Sequence, residues 1–221
     1  MQHQATQSLY AYWNEVRRGR LAPRRLEIQP ARIGGFLIDT FILERADRVS
    51  FRFRLAGTRV SSRFGMDLRA QDFLSCWSEA DRSLLEHHLA AITELGRVGL
   101  FTGEALSTTN KSGERDLQSV PFELLILPLM HTGHSIDRLL CMLVPLEESL
   151  PATAPIGGLK LLAAEAIWPN GAPKDPLLFS DRQSPLTPHV RMARIVRQGR
   201  RQFRVYEGGL VEAAHDKADR I

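Results

Sequence analysis

The sequence predicts an α+β fold, a five-stranded antiparallel sheet interrupted by a helical stretch, and three observations carry that prediction. Phe51, Phe53 and Leu55 alternate with Arg52 and Arg54, the period of a half-buried strand. Leu85, Leu89, Ile92 and Leu95 recur at helical steps within the stretch 79–95. After Val98, three long apolar stretches are separated by the turn signals Asn110-Lys111-Ser112-Gly113 and His131 to Gly133, the pattern of a meander.

Taken in order, Leu9, Tyr12, Trp13 and Val16 form an apolar stripe at helical spacing, with Glu15, Arg17 and Arg18 left for water, so residues 6–18 predict an amphipathic helix. RGRLAPRRLEIQP is basic, holds two prolines and reads as an irregular connector ending near Pro30. GFLIDTFILER, residues 35–45, reads as a strand that turns at 46–49 and pairs as a hairpin with the strand containing Phe51 and Phe53. Thr58 is placed to cap a short helix over 60–64, and Gly65 permits the left-handed residue that ends it. Residues 66–77 show no sustained period, and Gly96 stops the long helix.

The three later strands are expected at 98–109, 116–130 and 135–146. In the middle one Val120, Phe122, Leu124 and Ile126 share a face, and Pro121, which cannot donate to a ladder, predicts a local bulge. LKLLAAEAIW, residues 159–168, adds one more strand or helix. Residues 169–190 are rich in proline and polar groups and read as a linker, and an arginine-rich segment follows with a strand at 202–206. The chain therefore divides into an N-terminal helix and connector at 1–30, a core at 31–148, and a C-terminal extension at 149–221 that is partly linker or disordered.

Composition narrows the classes of function. A hydrophobic fraction of 43% over 221 residues is enough for a real core, and the longest apolar runs fall far short of the roughly 20 residues that span a bilayer. The first twenty residues lack the basic start, apolar run and small-residue cleavage site of a secretory signal, so the cytoplasm is the expected compartment. Cys76 and Cys141 sit among apolar neighbours and read as reduced, structural thiols. A net charge of +4, with acidic residues interspersed, favours an acidic partner only weakly.

The order of two strands, short helices, a longer helix and three strands is that of a PAS domain. The segments YWNEVRRGRLAPRR, FRFRLAGTRV followed by FG, FELLILPL and LLCMLVPL resemble single-PAS proteins of alpha-proteobacteria, a family formerly described as a domain of unknown function. The resemblance covers about residues 9–148. It implies a PAS-like five-stranded antiparallel sheet with helices on one face. It also implies a pocket that some members fill with haem, flavin or a small molecule and others leave empty, and action through dimers or signalling proteins.

The chemical motifs are few. His88 falls near the apolar stripe of the long helix, where an imidazole could approach a pocket as in haem-binding relatives; a boundary histidine is the alternative. Glu104-Ala105-Leu106 and Arg69 to Asp72 match short cyclic-dinucleotide signatures, but patterns of this length arise by chance. Common nucleophile, zinc and phosphate-loop signatures are absent from the sequence, so the expected role is not enzymatic. Pocket candidates are Phe53, Leu55, Phe64, His88, Leu89, Ile92, Phe122, Leu124 and Met142, with no metal expected and no cofactor called for, haem or another small molecule being the alternative. Leu9, Trp13 and Val16 are candidates for a homodimer or signalling-protein contact, or else pack on their own sheet. Arg191, Arg194, Arg197, Arg200, Arg201 and Arg204 are candidates for an acidic protein partner, with nucleic acid or an unrecognised enzyme as the rival classes.

Overall fold

Two strands and a bulge fix the geometry of everything that follows. β1 (Thr40–Arg45) and β2 (Phe51–Ala56) pair antiparallel, and the register jumps between Ile42, opposite Leu55, and Leu43, opposite Phe53. Arg54 is thus an extra residue, and an extra residue reverses the side-chain parity of a strand. Phe51 and Phe53 point into the core as the alternation predicts, but Leu55 turns to the opposite face of the sheet and is 48% exposed. The sequence placed Leu55 beside Phe53, and the bulge is the reason it is not there.

The computed structural model describes residues 1–111, 114–131, 133, 135–147, 155–171, 193–198 and 201–206. Its elements before the sheet's hairpin are α1 (Gln4–Arg17), a 3₁₀ turn at Arg25–Glu27 and a longer 3₁₀ stretch at Pro30–Asp39. The expected strand over 35–45 therefore begins only at Thr40. Pro30 sits in the first turn of the 3₁₀ stretch, where its fixed φ suits a helical start and its missing N–H costs nothing. After β2 come α2 (Thr58–Phe64), a 3₁₀ turn at Phe73–Cys76 and α3 (Glu79–Leu95). Gly65 and Gly96 both adopt the left-handed conformation at φ 65° and 67° that ends these helices, as expected.

β3 (Val98–Lys111), β4 (Glu114–Met130), β5 (Ile136–Pro145) and β6 (Ile156–Ile167) complete a six-stranded sheet of order β2-β1-β5-β4-β3-β6. All pairs in it are antiparallel. The sequence counted five strands and left 159–168 as strand or helix; the sixth pairs along β3 and makes the sheet's far edge. It is tied to α3, whose Asp81 carboxylate accepts from the Leu161 N–H at 2.9 Å, and Ser78 N–H donates to the Leu159 carbonyl at 2.9 Å. Met1–Gly171 forms one compact unit, so the helix at 4–17 and β6 belong to the same body as the sheet. Separately, β7 (Ala193–Gln198) and β8 (Arg201–Tyr206) pair as a two-stranded antiparallel ribbon.

Pro121 stands in an unbroken register opposite Glu104, without the expected bulge. Its carbonyl accepts from Leu146 just past the end of β5, so the missing donor faces the point where that neighbour stops. Both faces of the sheet are covered. On the inner face α2 and α3 enclose Phe41, Phe53, Phe122, Leu124 and Cys141; on the outer face α1 packs on Leu125, Leu127, Leu140 and Met142. Met142, expected in the inner pocket, is thus on the other side. LLCMLVP is apolar throughout and buried on both faces, so nothing in its pattern separates one row from the other.

The helix cap also differs from expectation. Gly57, not Thr58, is the N-cap of α2, and no side chain caps that end. A Cβ at Gly57 would meet the Ile38 carbonyl carbon and the Leu37 oxygen at 2.6 Å, both backbone. Gly57→Ala is therefore expected to cost about 1–3 kcal/mol through overpacking, whereas Thr58→Ala, at an exposed position, stays within about 0.5 kcal/mol. Urea unfolding of the two variants measures the difference, and an equal loss in both would show that the threonine caps the helix after all.

Candidate functional site

The inner core is where the family resemblance puts a ligand, and it is occupied by the chain itself. Phe53, Phe64, Leu89, Ile92, Phe122 and Leu124 all lie in this one cluster, none more than 8% exposed. A run of aromatic rings crosses it: Phe41 to Phe53 at 5.2 Å, then Phe53 to Phe73, Phe73 to Trp77 and Trp77 to Phe122, each at 5.8 Å between centroids. Edge-on and tilted packing of this kind fills space efficiently and adds about 0.5–1.5 kcal/mol per pair beyond burial. At its border, near Phe122 and Leu143, is a void of about 10 Å³, the size of a single water at most. Phe73 and Trp77 escaped the sequence reading because 66–77 has no period. The Trp77 indole N–H is buried with no hydrogen-bond partner among the described residues, a cost of about 1–3 kcal/mol to the folded state.

His88 does not enter this core. Its Nδ1 is 3.0 Å from an Arg97 guanidinium nitrogen, and its ring stands edge-on to Phe101 at 5.6 Å. Arginine only donates, so Nδ1 accepts and the neutral ring carries its proton on Nε2. Partial burial, then the charges of Arg97 and of neighbouring His87, lower its pKa. The two cysteines are free; burial raises the Cys76 thiol to about 11 and holds Cys141 well above the usual range, so neither is a ready nucleophile at neutral pH.

The partner candidates on α1 are also turned inward. Leu9 and Trp13 are completely buried and Val16 packs beside them, all against the chain's own outer sheet face. The Trp13 indole donates to the Pro128 carbonyl at 2.9 Å. That carbonyl lies two residues beyond the Gly99–Ile126 pair, the last between β3 and β4, so the indole takes an acceptor the ladder leaves open. Of the two readings of this stripe, a contact with a partner or packing on its own sheet, the structure shows the second. Arg191 and Arg200 lie outside the described residues, while Arg194, Arg197, Arg201 and Arg204 fall in the β7–β8 ribbon.

An open concavity does exist, on the outer face beside α1. One lobe of about 360 Å³ has Ile42 and Leu140 in its floor, Leu55 on one side, and Ile28, Ile33 and Leu37 of the connector on the other. A second lobe of about 530 Å³ shares Arg25, Ile42 and Leu55 with the first and continues to Arg54, Arg69, His131 and Arg138. The first is an apolar trough and the second is basic. The sequence reading missed this site because it is assembled from segments around 25–42, 54–69 and 131–140, and because Leu55 reaches it only through the bulge at Arg54.

The connector wall of this trough is held by α1. Tyr12 Oη accepts from the Gln29 N–H at 2.8 Å, and Arg32 makes a two-pronged pair with Glu15 at 3.0 Å while lying 4.8 Å over the Tyr12 ring. Farther along, buried Arg17 donates to Asn14, to the Arg20 carbonyl, and to Asn170 and Pro169 beyond β6. The helix is thus a strut between the sheet and both of its flanking segments. Among the described residues no cluster of histidine, cysteine, aspartate and glutamate suited to a metal ion is present, and no helix is long and apolar enough to cross a membrane.

The lowered pKa of His88 makes a directional prediction. The unfolded chain, with an ordinary histidine pKa near 6.5, binds a proton at mildly acidic pH more readily than the folded chain does. The contribution of His88 to stability is therefore present above about pH 6.5 and is lost as pH falls toward the folded pKa. His88→Gln keeps an acceptor for Arg97 without titrating, so its unfolding midpoint is expected to fall less between about pH 7.5 and 5.5 than that of the unsubstituted chain. Identical pH slopes would contradict the burial of a neutral ring.

A family model described as PAS domain matches residues 1–144. No curated protein and no solved structure matches the chain significantly. The match begins at α1 and runs through β1, β2, the helical segment and the meander to the end of β5, the same elements whose packing has just been described. The chain belongs to the PAS-domain family.

Proposed function

We propose that this chain is a sensory or interaction module of bacterial signalling that acts by binding, with no output enzyme of its own. Family membership supports the class of role. The observation that carries the finer reading is the contrast between the two faces of the sheet: an inner core packed with aromatic rings, and an outer face with an open trough beside a docked helix. A binding site needs accessible concave surface, and here that surface is outside the core.

The mechanism is a population shift. An occupant of the outer face contacts the sheet and the connector together, so it binds more tightly to the arrangement in which α1 holds the connector in place. That difference in affinity is all the free energy available to change the surface shown to a signalling protein. The partner is the signalling protein or a second copy of the chain, meeting surfaces other than the buried stripe of Leu9 and Trp13. The inner core binds no haem or flavin in this reading.

Absorption spectroscopy with native mass spectrometry of the purified full-length chain tests it. Protein absorption alone is expected, and a colourless ligand on the outer face adds mass without a visible band. A visible chromophore that leaves only on unfolding would overturn the filled-core reading.

A further inference from the structure

The trough and the basic lobe are not two sites but the two ends of one. They share Arg25, Ile42 and Leu55, and the line from Thr40 to Glu44 along β1 runs from the apolar end to the charged one. The four steps between Thr40 and Glu44, at about 3.3 Å each, give a path of about 13 Å. Leu26, Leu37 and Leu55 line it at 85%, 42% and 48% exposure, an unusual concentration of large aliphatic side chains in contact with water.

The charges at the far end are unequal. Arg138 is paired with Glu44 at 2.9 Å and with Asp137 at 3.5 Å, and Arg54 reaches Glu44 only at 4.0 Å. Asp137 also accepts from the His131 N–H at 2.9 Å. Arg25 and Arg69, the other two guanidinium groups of the lobe, make no ion pair or side-chain hydrogen bond among the described residues. Among the described residues four arginines thus face two carboxylates, and the unpaired ones are Arg25, where the two lobes join, and Arg69, in the basic lobe.

From this geometry we infer that the outer-face groove binds a small amphiphilic anion, an aliphatic chain ending in a carboxylate. The chain lies along Ile42, Leu55 and Leu140 beneath the connector, and the carboxylate meets Arg25 and Arg69. Arginine suits that head because its planar fork presents two donors to two oxygens. A partner's acidic helix fits less well. Three strands spaced about 4.8 Å apart make a floor about 10 Å across, part of it is taken by Ile28 and Ile33, and a helix with its side chains needs about 10–12 Å. This inference rests on the binding role proposed above and names the ligand class for it.

Titration calorimetry of the full-length chain with dodecanoate, kept below its micelle concentration, is the test. Saturable binding near one per chain is expected, with little heat from acetate, which lacks the tail, or from dodecyltrimethylammonium, which reverses the head. Arg25→Ala with Arg69→Ala is expected to weaken dodecanoate by about tenfold or more, and Leu55→Asp, at a half-exposed position, to abolish it; unchanged circular dichroism in both variants shows that the fold is intact. Equal binding of the cationic amphiphile, dodecanoate affinity unchanged in both variants, or tight binding of an acidic helical peptide with none of dodecanoate would each overturn the proposal. Failure here leaves a chromophore-free spectrum standing, and a visible chromophore would leave the dodecanoate result standing, so the two readings fall separately.

Discussion

Glu123 is completely buried in β4, on the row of that strand otherwise made of Leu125, Leu127 and Leu129, and its carboxylate is spent on the start of α1. It accepts from the Gln2 N–H at 2.6 Å, from the His3 N–H at 3.2 Å and from the Thr6 hydroxyl. The first two are backbone donors at and just before the N-cap, the third is a first-turn side chain, and the positive end of the helix dipole favours a negative group there. The His3 ring completes the cap by accepting from the Ala5 N–H at 3.1 Å. A charge at the centre of a sheet is tolerable only with such partners, since each hydrogen bond to a charged group contributes about 1.5–3 kcal/mol and an unpartnered one is a net cost.

From that anchor the rest of the outer face follows. With its first turn fixed on Glu123, α1 lies along the sheet so that Leu9 and Trp13 are buried and the Trp13 indole meets Pro128. Tyr12 and Glu15 then face the connector and hold Gln29 and Arg32, which sets the height of the wall formed by Ile28, Ile33 and Leu37. The groove therefore depends on the helix, and the helix on one carboxylate. This is a physical basis for coupling: an occupant that touches both sheet and connector stabilises the docked helix, and a loosened helix weakens the occupant.

Much of the inner face was legible in the sequence. The alternation through Phe51 and Phe53 and the helical spacing of Leu85, Leu89 and Ile92 each declare a face because polar residues lie between the apolar ones, while the row Phe122, Leu124, Ile126 follows from strand periodicity alone, since Leu125 beside it is just as apolar. Where that contrast is missing the reading can fail. LLCMLVP does not say that Cys141 faces inward and Met142 outward, and a bulge moves Leu55 across the sheet without changing one letter of the pattern. Glu123 left a signal that was available, a carboxylate inside the apolar run FELLILPL. Its partners, however, lie more than a hundred residues away, and no local rule connects them. The groove had no sequence signature at all, since three separated segments meet to form it.

Amide hydrogen exchange of Gln4–Arg17 in Glu123→Ala, compared with the unsubstituted chain, tests the dependence on this one carboxylate most directly. The account predicts that exchange in α1 and in the connector 25–39 accelerates while β4 and β5 keep their protection. Unchanged protection of α1 in that variant would contradict it, because the helix would then be held by its apolar stripe alone.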